Sequence, residues 1–129
     1  MAENKIEQYL IDLMLSYREV GTNLWLIDDS EQGLDGVAVM YAEPLVVVRS
    51  LVMEAPAVTP ENRLACFTKL LELNATDLLH GAYALEGTQI VLIDTLEYST
   101  MDYSEFRATL DAISLALAQH YPILSNFRN

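Results

Sequence analysis

The order of the apolar patterns constrains this chain more than any other feature. They predict one helix, three strands, a second helix, a two-stranded hairpin and a closing helix, αβββαββα, an α+β arrangement. That order limits the available folds more tightly than any motif limits the chemistry. With 129 residues the chain fits one domain spanning 1–129, large enough to bury roughly two thirds of its unfolded surface in a single core.

Ile6, Leu10, Leu13, Met14 and Tyr17 recur at three- and four-residue spacing and predict a helix over residues 4–20, stopped by Gly21. Ile11 and Leu15 fall beside that stripe and give the helix more apolar surface than one packed face requires. Either the core wraps around this helix or a partner does, and Ile11 and Leu15 are expected on a surface that binds another protein. Residues 24–27 read as a short strand, 28–33 as a polar turn, 37–41 as a second strand and 45–53 as a third. Pro44 has no N–H for a ladder and belongs in the connection or at an edge.

Residues 54–58 read as a linker, and Thr59-Pro60-Glu61 as a helix start with a hydroxyl cap, a proline at the first position and an acid in the first turn. This helix runs to Asn74 with Leu64, Phe67 and Leu71 as its inner stripe, widened by Leu70 and Leu73. Strands over 79–85 and 88–96 flank Glu86-Gly87, a two-residue hairpin loop. Within the second of them, Ile90-Val91-Leu92-Ile93 is apolar on both faces, which implies cover on both sides. The surplus apolar surface at Leu70 and Leu73 on the helix, and at Ile90 and Leu92 on the strand, is expected at a homodimer interface. Asp102-Tyr103-Ser104-Glu105 has the form of a capping box; Phe106, Leu110, Ile113, Leu117 and Tyr121 stripe the last helix, and Pro122 is expected to end it.

The chain carries 19 acidic residues against 7 basic ones, a formal net charge of −12. A field of that sign repels phosphate backbones and anionic lipid, which disfavours nucleic acid and membrane surfaces as partners and favours basic or apolar ones. Residues 1–5 lack a basic start followed by an apolar run, and no stretch reaches the roughly 18 apolar residues of a membrane span. The lone Cys66 sits in Leu64-Ala65-Cys66-Phe67 as a buried helical thiol, and a cytoplasmic location is expected.

No catalytic constellation is legible, and no cofactor or metal is expected. His80 and His120, with Asp77 and Asp111 near them in sequence, show no metal-binding spacing. Asp28-x-Ser30-x-Gln32-Gly33 starts like a calcium loop but has Val39 where the bidentate glutamate belongs. Cys66 has no local base or cation to lower its pKa, and the five glycines form no phosphate cradle. Asn74-Ala75-Thr76 matches a glycosylation acceptor only by accident in a chain without a secretory signal. Paired acids such as Glu97 and Asp102 leave a small enzyme, its residues converging only in three dimensions, as the reading from another class.

Leu70-Leu71-Glu72-Leu73-Asn74, Gly81-Ala82-Tyr83-Ala84-Leu85, Ile90-Val91-Leu92 and Met101-Asp102-Tyr103-Ser104-Glu105-Phe106 together resemble the C-terminal half of type III secretion chaperones and the related YbjN-like proteins. The resemblance implies a twisted antiparallel five-stranded sheet with three helices, assembled as a homodimer. It implies a protein that binds rather than catalyses, holding an extended client segment along apolar surfaces of its helices and sheet. A YbjN-like regulatory or structural dimer without a secretion client is the alternative within the same resemblance.

Overall fold

The first helix is half its predicted length, and the residues it gives up form an additional strand. In the computed structural model, which describes residues 5–56 and 60–127, α1 spans Lys5–Asp12 and β1 Tyr17–Gly21. Between them the helix closes in a Schellman turn: Leu15 N–H donates to Leu10 O at 3.2 Å and Met14 N–H to Ile11 O at 2.9 Å, with Met14 in the left-handed region at φ 58°. Nothing in the composition of residues 13–15 announces this stop, because methionine stands where glycine is usual. Gly21 accordingly ends a strand rather than a helix.

The order continues with β2 (Leu24–Asp29), a 3-10 turn (Ser30–Gln32), β3 (Leu34–Ala42), β4 (Leu45–Glu54), α2 (Pro60–Thr76), β5 (Ala82–Glu86), β6 (Gln89–Glu97) and α3 (Tyr103–Ser125). The sheet therefore has six strands, not five, in the order β1-β2-β3-β4-β6-β5, with every neighbouring pair antiparallel. Pro44 lies in the connection between β3 and β4. The predicted cap at Thr59, the linker residues 57 and 58, and Asn4 lie outside the described residues.

Side chains from one sheet face, Trp25, Ile27, Val37, Val39, Val46, Val48, Ile90 and Leu92, join Ile6 and Leu10 of α1, Cys66, Leu70 and Leu73 of α2, and Phe106, Leu110 and Ile113 of α3 in one core. On α2 the inner stripe is thus Cys66, Leu70 and Leu73, whereas Leu64 and Leu71 point outward, 69% and 68% exposed. On α3 the buried series runs through Ala116, His120 and Leu124 instead of Leu117 and Tyr121. The helix also passes through Pro122 to Ser125. The carbonyl that the proline leaves without a donor, that of Ala118, is on an exposed residue. Its start is as read: Glu105 N–H donates to Asp102 Oδ1 and Asp102 N–H to Glu105 Oε1, a complete capping box.

The strand predicted from residue 79 begins only at Ala82, after Gly81 at φ 79°, where the chain runs so close to Ile93 that an added Cβ would meet its carbonyl oxygen. Leu79 consequently stands in the loop, almost fully exposed. The hairpin turns at Gly87-Thr88, one residue later than predicted, with Glu86 opposite Gln89. At the edge of β5, Asn74 Nδ2 donates to Tyr83 O at 3.2 Å and Tyr83 N–H donates to Asn74 Oδ1 at 2.7 Å. The amide of the Asn74-Ala75-Thr76 motif is occupied in this way.

Cys66 is fully buried, and burial pushes its thiol pKa up. Cys66→Ala is expected to cost roughly 1 kcal/mol in packing. Thiol reagents are expected to label the native chain slowly and the urea-unfolded chain at once; fast native labelling would show an accessible thiolate instead.

Candidate functional site

The Schellman turn that ends α1 does two things with its apolar residues. Leu15 folds back against the core, as the residue after the left-handed position does in this motif, and is half-buried. Met14 is thrown outward, 86% exposed, next to Ile11 at 52%. Of the two predicted client-contact residues, Ile11 is therefore on the surface of α1, while Leu15 lies beyond the helix and is largely committed to packing. Met14, which the sequence assigned to the core stripe, is the exposed one.

This turn forms one wall of a groove of about 320 Å³ whose other walls are the 3-10 turn and the first half of α3; Leu13, Met14, Leu15, Leu34, Tyr103 and Arg107 line it. Its walls are held from both sides. Asp29 accepts N–H groups from Ser16 at 2.9 Å and Gln32 at 3.2 Å, while Asp28, the carboxylate that opens the calcium-like loop, faces Arg18 at 3.7 Å. Gly33 at φ 72° brings the turn so close to α3 that a Cβ there would strike Ser114 Oγ, and that hydroxyl donates to Gln32 O at 2.9 Å. Asp12 and Asp111 also line the groove, the latter facing Arg107 at 3.6 Å. The groove sets the apolar side chains of Leu13, Met14 and Leu15 beside Asp12, Gln32, Arg107 and Asp111, and its exposed lining is mainly polar.

The expected interface residues take a different place. Leu70, Leu73, Ile90 and Leu92 are 6%, 4%, 0% and 0% exposed within the single chain. They hold the monomer together and have no surface to give a partner. The apolar residues one step away in each element are the outward ones: Leu64 and Leu71 on α2, and Val91 and Ile93 on the second face of β6. Val91 is nonetheless fully buried. Arg49 stands opposite Ile93 and Glu86 opposite Gln89, so the ion pair between them, 2.7 Å, runs from β4 to β5 across Val91 and covers it. The doubly apolar run thus has helices and core over one face and an ion pair over the other.

A polar chain runs from the buried Tyr83 and His120 out to the exposed Asp77. Tyr83 Oη lies 2.7 Å from His120 Nδ1, and His120 Nε2 lies 3.1 Å from Asp77 Oδ2. A carboxylate only accepts, so Nε2 carries the proton between ring and Asp77. Burial pushes the Tyr83 hydroxyl up to about 12, which keeps it protonated and unsuited to nucleophilic or base chemistry. Sequence reasoning found none of this, since the three residues lie on α3, β5 and the loop after α2. Glu97 and Asp102, the acids read as a possible pair, line a separate groove of about 460 Å³ with His80, Asp94 and Glu105, where Asp102 is engaged in the helix cap. Among the described residues no three His, Cys, Asp or Glu side chains are placed to hold a metal ion.

Three helices on one face of a six-stranded antiparallel sheet, with outward apolar residues on α1, α2 and the opposite sheet face, define an α+β fold of the type III secretion chaperone kind. The chain belongs to the CesT_Tir_1 family, whose model matches residues 1–129. Three solved structures show the same fold: YbjN from E. coli (TM-score 0.65, 14% identity, covering 95% of this chain and 93% of that one), the HopA1–SchA chaperone–effector complex (0.61, 5%, 87% and 86%) and the ExsC–ExsE complex (0.55, 11%, 96% and 97%). No curated protein sequence matches the chain. No helix among the described residues is long and apolar enough to cross a membrane.

Proposed function

We propose that this chain is a small cytoplasmic chaperone-type protein, without enzymatic activity, that holds an extended segment of a protein client and works as a homodimer. The observation that carries the client reading is Met14. A non-glycine residue in the left-handed region costs about 1 kcal/mol, yet this chain places there an apolar side chain that contributes almost nothing to its own core. Its return is a soft, adaptable contact at the lip of the groove. The net charge of −12 and the carboxylates of Asp12 and Asp111 favour a client segment that carries basic residues between apolar ones. Family membership and the likeness to a chaperone–effector complex support the same reading. The likeness to YbjN favours a second one, a regulatory or structural dimer whose partner is not a secreted protein.

The test combines Met14→Gly with Ile11→Asn in the full chain. Glycine relieves the backbone at Met14, so the melting temperature is expected to stay level or rise by a few degrees. Proteins captured from extract of the native cells by the unaltered chain are expected to be retained at least several-fold less by the variant. A variant that keeps its fold and captures the same proteins equally would overturn the groove as the client site.

A further inference from the structure

One row across the core face of the sheet is made by Val37, Ser50, Leu92 and Tyr83, opposite one another on β3, β4, β6 and β5. All four are buried, and Ser50 is the one small polar side chain among three large ones. Beside it lies a cavity of about 120 Å³ under the second half of α3, open at one side, with Val52, Tyr83, Leu117 and Leu124 in its wall and a mainly apolar lining. The strand is irregular at the same place. Leu51 stands opposite Val91 and Met53 opposite Ile90, so Val52 is the extra residue of a bulge. Bulges gather at sheet edges and next to active sites, and β4 is not an edge strand.

The wall contains a polar group that the fold leaves unused. Ser50 is 2% exposed, and its hydroxyl has no hydrogen-bond partner among the described residues. A buried hydroxyl in that condition costs stability, and a polar atom from outside the chain relieves it. The neighbouring hydroxyl of Tyr83 is already engaged, 2.7 Å from His120 Nδ1. A water molecule needs roughly two to four polar partners to be held; a guest with one hydrogen-bonding atom on an apolar body matches this wall better. Asp35 borders the cavity, and together with the net charge of −12 it disfavours an anionic guest.

We propose that this cavity is a binding site for a small uncharged organic molecule, a phenol or alcohol in class, whose apolar body of about six heavy atoms packs under α3 while its hydroxyl pairs with Ser50. An apolar cavity of about 150 Å³ admits benzene, so a six-membered ring fits this one when part of it stands in the opening. The site is separate from the groove at Met14, and the proposal rests on neither the client reading nor the dimer reading.

The experiment titrates the full chain with phenol, toluene and benzoate and follows the methyl resonances of Val52, Leu117 and Leu124, in the unaltered chain and in Ser50→Ala. Phenol is expected to shift these methyls saturably at millimolar concentration, and benzoate to leave them in place. Ser50→Ala is expected to weaken phenol roughly tenfold and to leave toluene level or stronger, the difference isolating the hydroxyl pair. No saturable shift by about 10 mM phenol, equal shifts with benzoate, or a phenol affinity unchanged in Ser50→Ala overturns the proposal. If Ser50→Ala misfolds, magnetisation transfer from phenol protons to the Leu117 and Leu124 methyls of the unaltered chain decides in its place: its presence supports the site and its absence overturns it.

Discussion

Replacing His120 with alanine is expected to lower the stability of the chain by roughly 3–4 kcal/mol, the loss of a buried ring added to that of two hydrogen bonds. The ring is 1% exposed, and its removal leaves the Tyr83 hydroxyl, 2.7 Å away, without its partner inside the core. Tyr83→Phe removes only the hydroxyl and is expected to cost about 1–2 kcal/mol. In the double variant the two losses are expected to fall short of their sum, because the second change removes a group that the first had already orphaned. Urea denaturation of the three variants measures all of this; a loss under about 1 kcal/mol for His120→Ala would show that water takes the place of the ring. The acid end of the chain sets a pH window. Hydrogen bonds from the Thr76 hydroxyl and the His120 ring hold the Asp77 carboxyl below its ordinary value of 3.8. A group depressed in this way gives stability that is complete above its unfolded value and lost as pH falls through its folded one. Asp77→Asn is therefore expected to flatten the stability profile below about pH 4.

Gly81→Ala is expected to cost roughly 2–4 kcal/mol, from a left-handed backbone and a steric clash together. At φ 79° an added Cβ would stand 2.7 Å from the Ile93 carbonyl oxygen, and a backbone atom inside a sheet cannot move aside as a side chain can. Gly87→Ala is the control. It has φ 60° with open space around the added carbon, and its expected cost is that of the backbone alone, about 1 kcal/mol. Equal losses at the two glycines in chemical denaturation would show that β5 shifts to accommodate the methyl group.

What could be read from the sequence depended on whether local patterns decided the outcome. The capping box at Asp102 was legible because its two hydrogen bonds lie within four residues. The hairpin, to within one residue, and the positions of β3 and β4 were legible because turn residues and the short apolar runs between them are also local. The end of α1 was not, since Leu13, Met14 and Leu15 extend a helical period as readily as they form a Schellman turn, and the pairing of β1 with β2 decides between them. Helix phase failed for a related reason. On α2 the more hydrophobic leucines at 64 and 71 looked inward, yet the smaller Cys66 fits the core; on α3 Ala116 and His120 displaced Leu117 and Tyr121. Close packing against a sheet selects side-chain size, which a hydrophobicity stripe does not encode. Ile11 was legible as a surface residue, whereas Met14 and the His120 chain needed three-dimensional neighbours.

The two hydrogen bonds that the Asn74 side chain exchanges with the Tyr83 main chain make the sheet unequal at its ends. An amide side chain there imitates a neighbouring strand and occupies the middle of the β5 edge with groups that cannot pass the ladder on. The opposite edge, β1, is short and almost wholly exposed. Considered as a monomer unit in a polymerisation, the sheet has one reactive end and one terminated end. Edge-to-edge growth through β1 stops at two molecules, because each addition consumes the only end from which the next could start. A single asparagine thereby makes the β5 edge a poorer template for a further strand than the β1 edge.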